Sequence, residues 1–236
     1  MKRVPALMAL VLVALAGAGL GVPARAQLLN DWRVACGADK GAVRKEGTDW
    51  HFAPSRDFCP GSGGSIRDGQ RSEITTRKVK ATTRGAWLFS TMLTFRSGRF
   101  EPFDLFRISD GRKGCTAPLK VNVTENGQMR FVSGVPEPRT RGCVTRVTTL
   151  APSERVIRRD GTEHLLEILV NFDGHGGFET TLYLDGRQEL YGVYVPGDPE
   201  PPRSQTFSFR HGVYAREAFD FSMVSRGLSV REVRPD

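Results

Sequence analysis

Apolar and polar residues alternate along most of this chain, and Gly, Pro, Asn-Gly and Asp-Gly pairs interrupt the alternation at short intervals. A period of two places successive side chains on opposite faces of a strand, whereas a helix would repeat every three to four residues. Trp87, Phe89, Thr91, Leu93 and Phe95 fall on one face of a predicted strand, with Ser90, Thr94 and Arg96 on the other. Lys120–Thr124 and Gln128–Val132 flank Glu125-Asn126-Gly127, a strong hairpin signal. Leu166, Ile168, Val170 and Phe172 form another alternating set. Phe178–Leu184 follows, and Asp185-Gly186 turns the chain. Phe207, Phe209 and Val213 share one side of a late strand, and Phe219, Phe221 and Met223 one side of the last. The pattern predicts an all-β protein, a single antiparallel β-sandwich of the jelly-roll kind.

Length and composition agree. The chain has 236 residues, 39% hydrophobic and 25% charged, enough to bury a large core and unlike a disordered or fibrous protein. No linker divides it: the Pro-rich piece Val195–Arg203 is a loop between strands, and the Gly-rich Pro60–Gly64 lacks the Lys and spacing of a phosphate-binding loop.

The first residues read as an export signal. Lys2 and Arg3 precede an apolar run from Ala6 to Val22, and Ala24-Arg25-Ala26 supplies the small residues of a cleavage site before Gln27. An uncleaved anchor is the alternative, but the run is short for a span and a good cleavage site follows it. Residues 1–26 are thus expected to leave as a signal peptide, residues 27–236 to form the domain, and the protein to be secreted or periplasmic. In an oxidising compartment the even set Cys36, Cys59, Cys115 and Cys143 reads as two disulfides. Sequence order favours Cys36–Cys59 and Cys115–Cys143, each worth about 3 kcal/mol; the other two pairings stay open.

Charge narrows the partner. Without the signal peptide 31 bases face 26 acids, a net charge of +5. Between Arg67 and Lys120 alone, twelve bases face five acids, a net +7. In strands, Arg71, Glu73, Thr75 and Arg77 would share one face, and Arg107 and Ser109 another. A groove lined this way concentrates a polyanion. A nuclease would need a carboxylate cluster for metal or paired histidines, and neither is apparent. The expected partner is a polyanion, for an exported chain less a nucleic acid than an anionic polysaccharide, and not a membrane once the signal is removed. A monomer without a cofactor is expected, with a structural calcium ion left open.

Three segments resemble the jelly-roll, concanavalin A-like polysaccharide lyases, the group of alginate lyases, glucuronan lyases and heparin-lyase-I-like proteins. Gly69-Gln70-Arg71-Ser72-Glu73-Ile74 is similar to their R-S-E-L strand. Phe103-Asp104-Leu105-Phe106-Arg107-Ile108-Ser109-Asp110 stands where they carry Q-I-H or Q-W-H. Phe209-Arg210-His211-Gly212-Val213-Tyr214 is similar to F-K-A-G-x-Y. The order and approximate spacing of all three fit.

The resemblance implies eliminative cleavage of a uronate polymer. That chemistry needs a cation to neutralise the carboxylate, a base for the C5 proton and an acid for the departing C4 oxygen. By resemblance Arg71 meets the carboxylate, Glu73 orients Arg71, Tyr214 is the acid and Arg210 binds substrate. Arg107 and Ser109 replace the family's Gln and His, so Arg107 could neutralise but Ser109 is no base near neutral pH. Two substitutes for the base are open: Tyr214 itself, with its phenolate favoured by the surrounding guanidinium groups, or His51 in Asp49-Trp50-His51-Phe52, as an upstream His serves in the glucuronan-lyase-like branch. Arg77 is a further expected substrate contact. His164 and His175 look incidental, and His211 should face away from Tyr214. The alternative function is a carbohydrate-binding jelly roll that has lost its base.

Overall fold

The alternating segments become strands that pair into two antiparallel sheets, packed face to face as a jelly-roll sandwich. The computed structural model describes residues 31–56, 69–80, 85–110, 117–136, 143–149, 151–195 and 206–233, and no helix occurs among them. In the first sheet the order is β1 (Arg33–Val34), β4 (Gln70–Thr75), β14 (Thr206–Ala215), β7 (Phe103–Ser109), β8 (Leu119–Val123), β9 (Met129–Pro136) and β10 (Cys143–Val147), with β5 (Val79–Lys80) also beside β14. In the second it is β13 (Arg187–Tyr194), β12 (Phe178–Leu184), β11 (Asp160–Phe172), β6 (Gly85–Arg96), β15 (Ser222–Val233), β3 (Asp49–Phe52) and β2 (Val43–Glu46).

Burial follows the period of two. Along β6, Trp87, Phe89, Thr91, Leu93 and Phe95 are buried while Leu88, Ser90, Met92 and Thr94 between them are not. The Asn126-Gly127 hairpin joins β8 to β9, with Gly127 at φ 80°. Asp185 and Gly186 join β12 to β13 with φ of 53° and 75°, the paired positive angles of a tight hairpin turn. One boundary differs from expectation. The last strand begins at Ser222, so Phe219 and Phe221 precede it, yet both are buried beside Phe95 and Phe103. The signal segment, Cys59, Cys115, Pro60–Gly64 and residues 196–203 lie outside the described residues, and so do the expected disulfide pairings.

The three segments that carry the resemblance, β4, β14 and β7, are adjacent in the first sheet although β14 follows the other two by about a hundred residues of chain. Their apolar side chains, Ile74, Phe209, Val213, Phe106 and Ile108, face the second sheet. Their polar alternates face outward.

His211 fastens the two sheets together beneath that outward face. It is fully buried between Phe52 and Phe89 of the second sheet. Its Nδ1 lies 3.1 Å from the Leu105 carbonyl oxygen and its Nε2 2.7 Å from Ser225 Oγ. A carbonyl can only accept, so Nδ1 donates and Nε2 accepts from Ser225. Burial, more than the Leu105 bond offsets, pushes the imidazole down to about 4. The unfolded chain takes up this proton near pH 6.5 and the folded one only near 4, so the unfolded state binds more protons between them. Stability from this site is complete above pH ~6.5 and falls by roughly 3 kcal/mol as the pH drops toward 4. Denaturant titrations at pH 7.5 and 4.5 should show that loss in the wild type and a smaller one in His211→Gln. Equal losses in the two proteins would remove His211 as the cause.

Candidate active site

Strand register brings the outward polar residues of β4, β14 and β7 into two rows. Arg71, Tyr214 and Asp104 stand side by side in one, and Arg210 and Arg107 in the other. The rows continue onto β8 and β9, where Asn122 and Arg130 extend the first, and Lys120 and Val132 the second. A bulge sits between His211 and Tyr214 where β14 meets β7. It adds a residue to β14 and sets Tyr214 against Asp104 on the outward face. Gly212 occupies the bulge at φ 142°, and a Cβ there would press on the Ser72 carbonyl and come within 2.7 Å of Glu73 Cα. Only glycine allows β4 and β14 to meet this closely over Glu73.

Glu73 is the centre of the charge cluster. It is 1% exposed, receives two hydrogen bonds from Arg107 (2.8 Å from Nε to Oε1, with Nη2 donating to Oε2), and has Arg71 Nε at 3.6 Å and Arg210 Nη1 at 3.9 Å. Burial acts to raise its carboxyl, but Arg107, Arg210 and Arg71 together outweigh it and hold the group below the usual carboxylate range. Burial likewise acts against the Arg107 charge, and Glu73 with Asp104 reverses that effect. Arg210 shifts the other way, because burial and the neighbouring Arg107 and Arg71 exceed the pull of Glu73. Three guanidinium groups against one carboxylate leave a formal surplus of two positive charges. Arg71 is further held by an Nη1 bond of 3.2 Å to the Cys36 carbonyl.

Tyr214 stands at the border of this cluster. The Arg107 and Arg71 guanidinium carbons lie 4.3 and 4.9 Å from its ring centroid, and Lys120 Nζ lies 5.8 Å away. Cations over the ring face hold it in place. The ring also lines an open cleft of about 500 Å³ that runs from Tyr214 across β7, β8 and β9 and along the residues after β14. In the cleft Lys120 Nζ contacts Asp104 Oδ2 at 2.7 Å, Asn122 Nδ2 donates to Asp104 Oδ1 at 3.1 Å, and Arg130 Nε donates to Asn122 Oδ1 at 3.0 Å.

Of the expected site residues, the structure gathers Arg71, Glu73, Arg107, Arg210 and Tyr214. Ser109 shares their face at the end of β7, two residues beyond Arg107. His51 and Arg77 do not join them. His51 sits on β3 in the second sheet, between inward-facing Trp50 and Phe52, so its side chain points outward from the opposite side of the sandwich, 3.4 Å from Glu46. It cannot supply the base. Strand β4 ends at Thr75, so Arg77 is exposed beyond it instead of continuing the Arg71–Glu73 face. The other histidines are also elsewhere: His164 bonds Asp185 at 2.9 Å, His175 is in the β11–β12 loop, and His211 is in the core. Sequence reasoning passed over Asp104, Lys120, Asn122 and Arg130 as site residues. The alternation of β8 already put Lys120 and Asn122 on the polar face, but their place beside Tyr214 needs the pairing of β8 with β7. Among the described residues no three His, Cys, Asp or Glu side chains are grouped to hold a metal ion.

No protein-family model matches the chain, and no curated protein matches it. Solved structures do. The chain is similar to an alginate lyase of polysaccharide lyase family 7 (TM-score 0.57, 12% identity, 87% of this chain and 96% of that one). It is similar to an alginate lyase from Pseudomonas aeruginosa (TM-score 0.56, 14% identity, 87% and 99%). An endo-β-1,4-glucuronan lyase from the fungus Trichoderma reesei superimposes with a TM-score of 0.53 at 12% identity, over 88% and 90%. The fold is that of the jelly-roll polysaccharide lyases.

Proposed function

We propose that the protein is a polysaccharide lyase that cleaves a uronate-containing polymer by β-elimination, with Arg71 at the uronate carboxylate and Tyr214 moving the proton. The observation that carries this reading is one partly exposed phenol, at the edge of an open cleft, with Arg107, Arg71 and Lys120 between 4.3 and 5.8 Å of its ring. Arg107 commits two donors to Glu73. Its part is to hold the cluster's charge in place, while Arg71 pairs with the substrate carboxylate.

Neutralising that carboxylate lets the electrons of the C5–H bond delocalise toward it. Tyr214, as phenolate, takes the C5 proton. The electron pair forms the C4=C5 double bond as the C4–O bond breaks, and the phenol returns the proton to the departing oxygen. The phenolate is restored and no further reactant is consumed. One group doing both transfers requires them on the same side of the sugar ring, a syn elimination. The reading of residues 1–26 as an export signal supports an activity outside the cytoplasm, in the periplasm or the medium.

Incubation with alginate, glucuronan, heparin and hyaluronan across roughly pH 5–10, followed by ultraviolet absorbance of the unsaturated product, tests the reading. Product from at least one polymer is expected. Salt-sensitive binding with no product would instead identify a binding protein, in keeping with Ser109 standing where the resembling lyases carry His.

A further inference from the structure

The charge around Tyr214 is unequal on its two sides. Around Glu73, the guanidinium groups of Arg71 on β4, Arg210 on β14 and Arg107 on β7 exceed the one carboxylate by two charges. On the other side, the cleft walls carry Lys120, Arg130 and Arg216 against Glu101, Asp104 and Glu217, with no surplus of either sign. Two of the three cations there are also engaged: Lys120 contacts Asp104 at 2.7 Å and Arg130 donates to Asn122 at 3.0 Å. A second carboxylate entering this half would meet Glu101 and Glu217 without an uncommitted surplus to balance them. Hydroxyl and acetamido groups suit it better, because they can donate to the carboxylates and accept from the Arg130 guanidinium.

Resting on the lyase reading, we propose that the substrate alternates. A uronate occupies the Arg71 side, and the sugar across the scissile bond, held over Asp104, Asn122 and Arg130, is uncharged. The protein is thus suited to a polymer in which each uronate is linked through its C4 oxygen to a neutral or N-acetylated sugar, and ill suited to an uninterrupted polyuronate.

Two measurements on the full exported chain test this. The first compares kcat/KM on hyaluronan, which alternates glucuronate with an N-acetylated sugar, with kcat/KM on glucuronan and on alginate. Hyaluronan should be favoured by about tenfold or more, and the Glu101→Gln/Glu217→Gln double variant should move the ratio toward the polyuronates by roughly three- to tenfold, the size expected of two partly solvated like charges. A wild-type preference for glucuronan or alginate, or a ratio unmoved in the double variant, would overturn the alternation while leaving the lyase reading in place. The second measures binding of tetrasaccharides from the same polymers to Tyr214→Phe. If no polymer yields product, the lyase reading fails. Tighter binding of the alternating tetrasaccharide would then still uphold the recognition proposed here, and equal or weaker binding would overturn that too.

Discussion

Tyr214→Phe should lower kcat on the cleaved polymer by about 100- to 10,000-fold, the usual contribution of a positioned proton-transfer group. The variant deletes one oxygen and keeps the ring on which Arg71, Arg107 and Lys120 lie. Phenylalanine retains the ring face that attracts those cations, so the surrounding side chains should stay in place. KM should change little, because the proposed mechanism assigns the substrate carboxylate to Arg71, which the variant leaves in place. Stability should stay within about 1 kcal/mol of the wild type, since Tyr214 is only partly buried and its hydroxyl can reach solvent. Steady-state kinetics with a denaturant titration checks all three. A variant with unchanged kcat would remove Tyr214 from the chemistry and require another proton carrier on this face.

Glu73→Gln should have the largest effect on stability, a loss of about 3–5 kcal/mol. The carboxylate is 1% exposed and is the anion shared by Arg71, Arg107 and Arg210. A neutral amide keeps the shape but leaves three positive groups together without the anion they share, two of them under 10% exposed. Because Gln carries one amide nitrogen where Glu has a second acceptor oxygen, one Arg107 donor would also face another donor. The denaturation midpoint at neutral pH should fall accordingly. Adding Arg107→Gln should restore part of the loss, because the pair is removed together, and a double-mutant cycle measures that coupling. A loss below about 1 kcal/mol would mean that solvent or bound anions screen the cluster far more than its burial implies.

The fold was largely legible because sheet formation is written in a period of two. β6, β8, β11 and β12 could be located from alternation alone, and the Asn-Gly and Asp-Gly turns marked their connections. The final strand was misplaced for a simple reason. Phe219 and Phe221 also alternate and are also buried, but they cover the end of the core ahead of the strand, and alternation cannot distinguish those two positions. His51 failed as a site residue for a related reason. Its alternation with Trp50 and Phe52 says correctly that it faces outward, yet a sandwich has two outward faces and a local pattern does not say which one.

The charge of the site shows the same limit. Of the twelve bases between Arg67 and Lys120, Arg71, Arg107 and Lys120 reach Tyr214. Arg77, Arg96 and Arg99 are exposed elsewhere. Arg210 and Arg130 come from outside that stretch, and Glu73, which the sequence presents as an ordinary partner of Arg71, is bonded most closely to Arg107 on another strand.

By itself, then, the order of residues determined that strands form, where most of them lie, and which side chains on each face outward. Those are properties of neighbours one and two positions apart. Tertiary structure decided which outward faces coincide: β14 inserted between β4 and β7, a bulge at Gly212 turned Tyr214 toward Asp104, and His51 was carried to the far side. The energy of those choices lies in contacts between residues some thirty to more than a hundred positions apart, such as Glu73 with Arg107 and His211 with Leu105, and no local pattern encodes them.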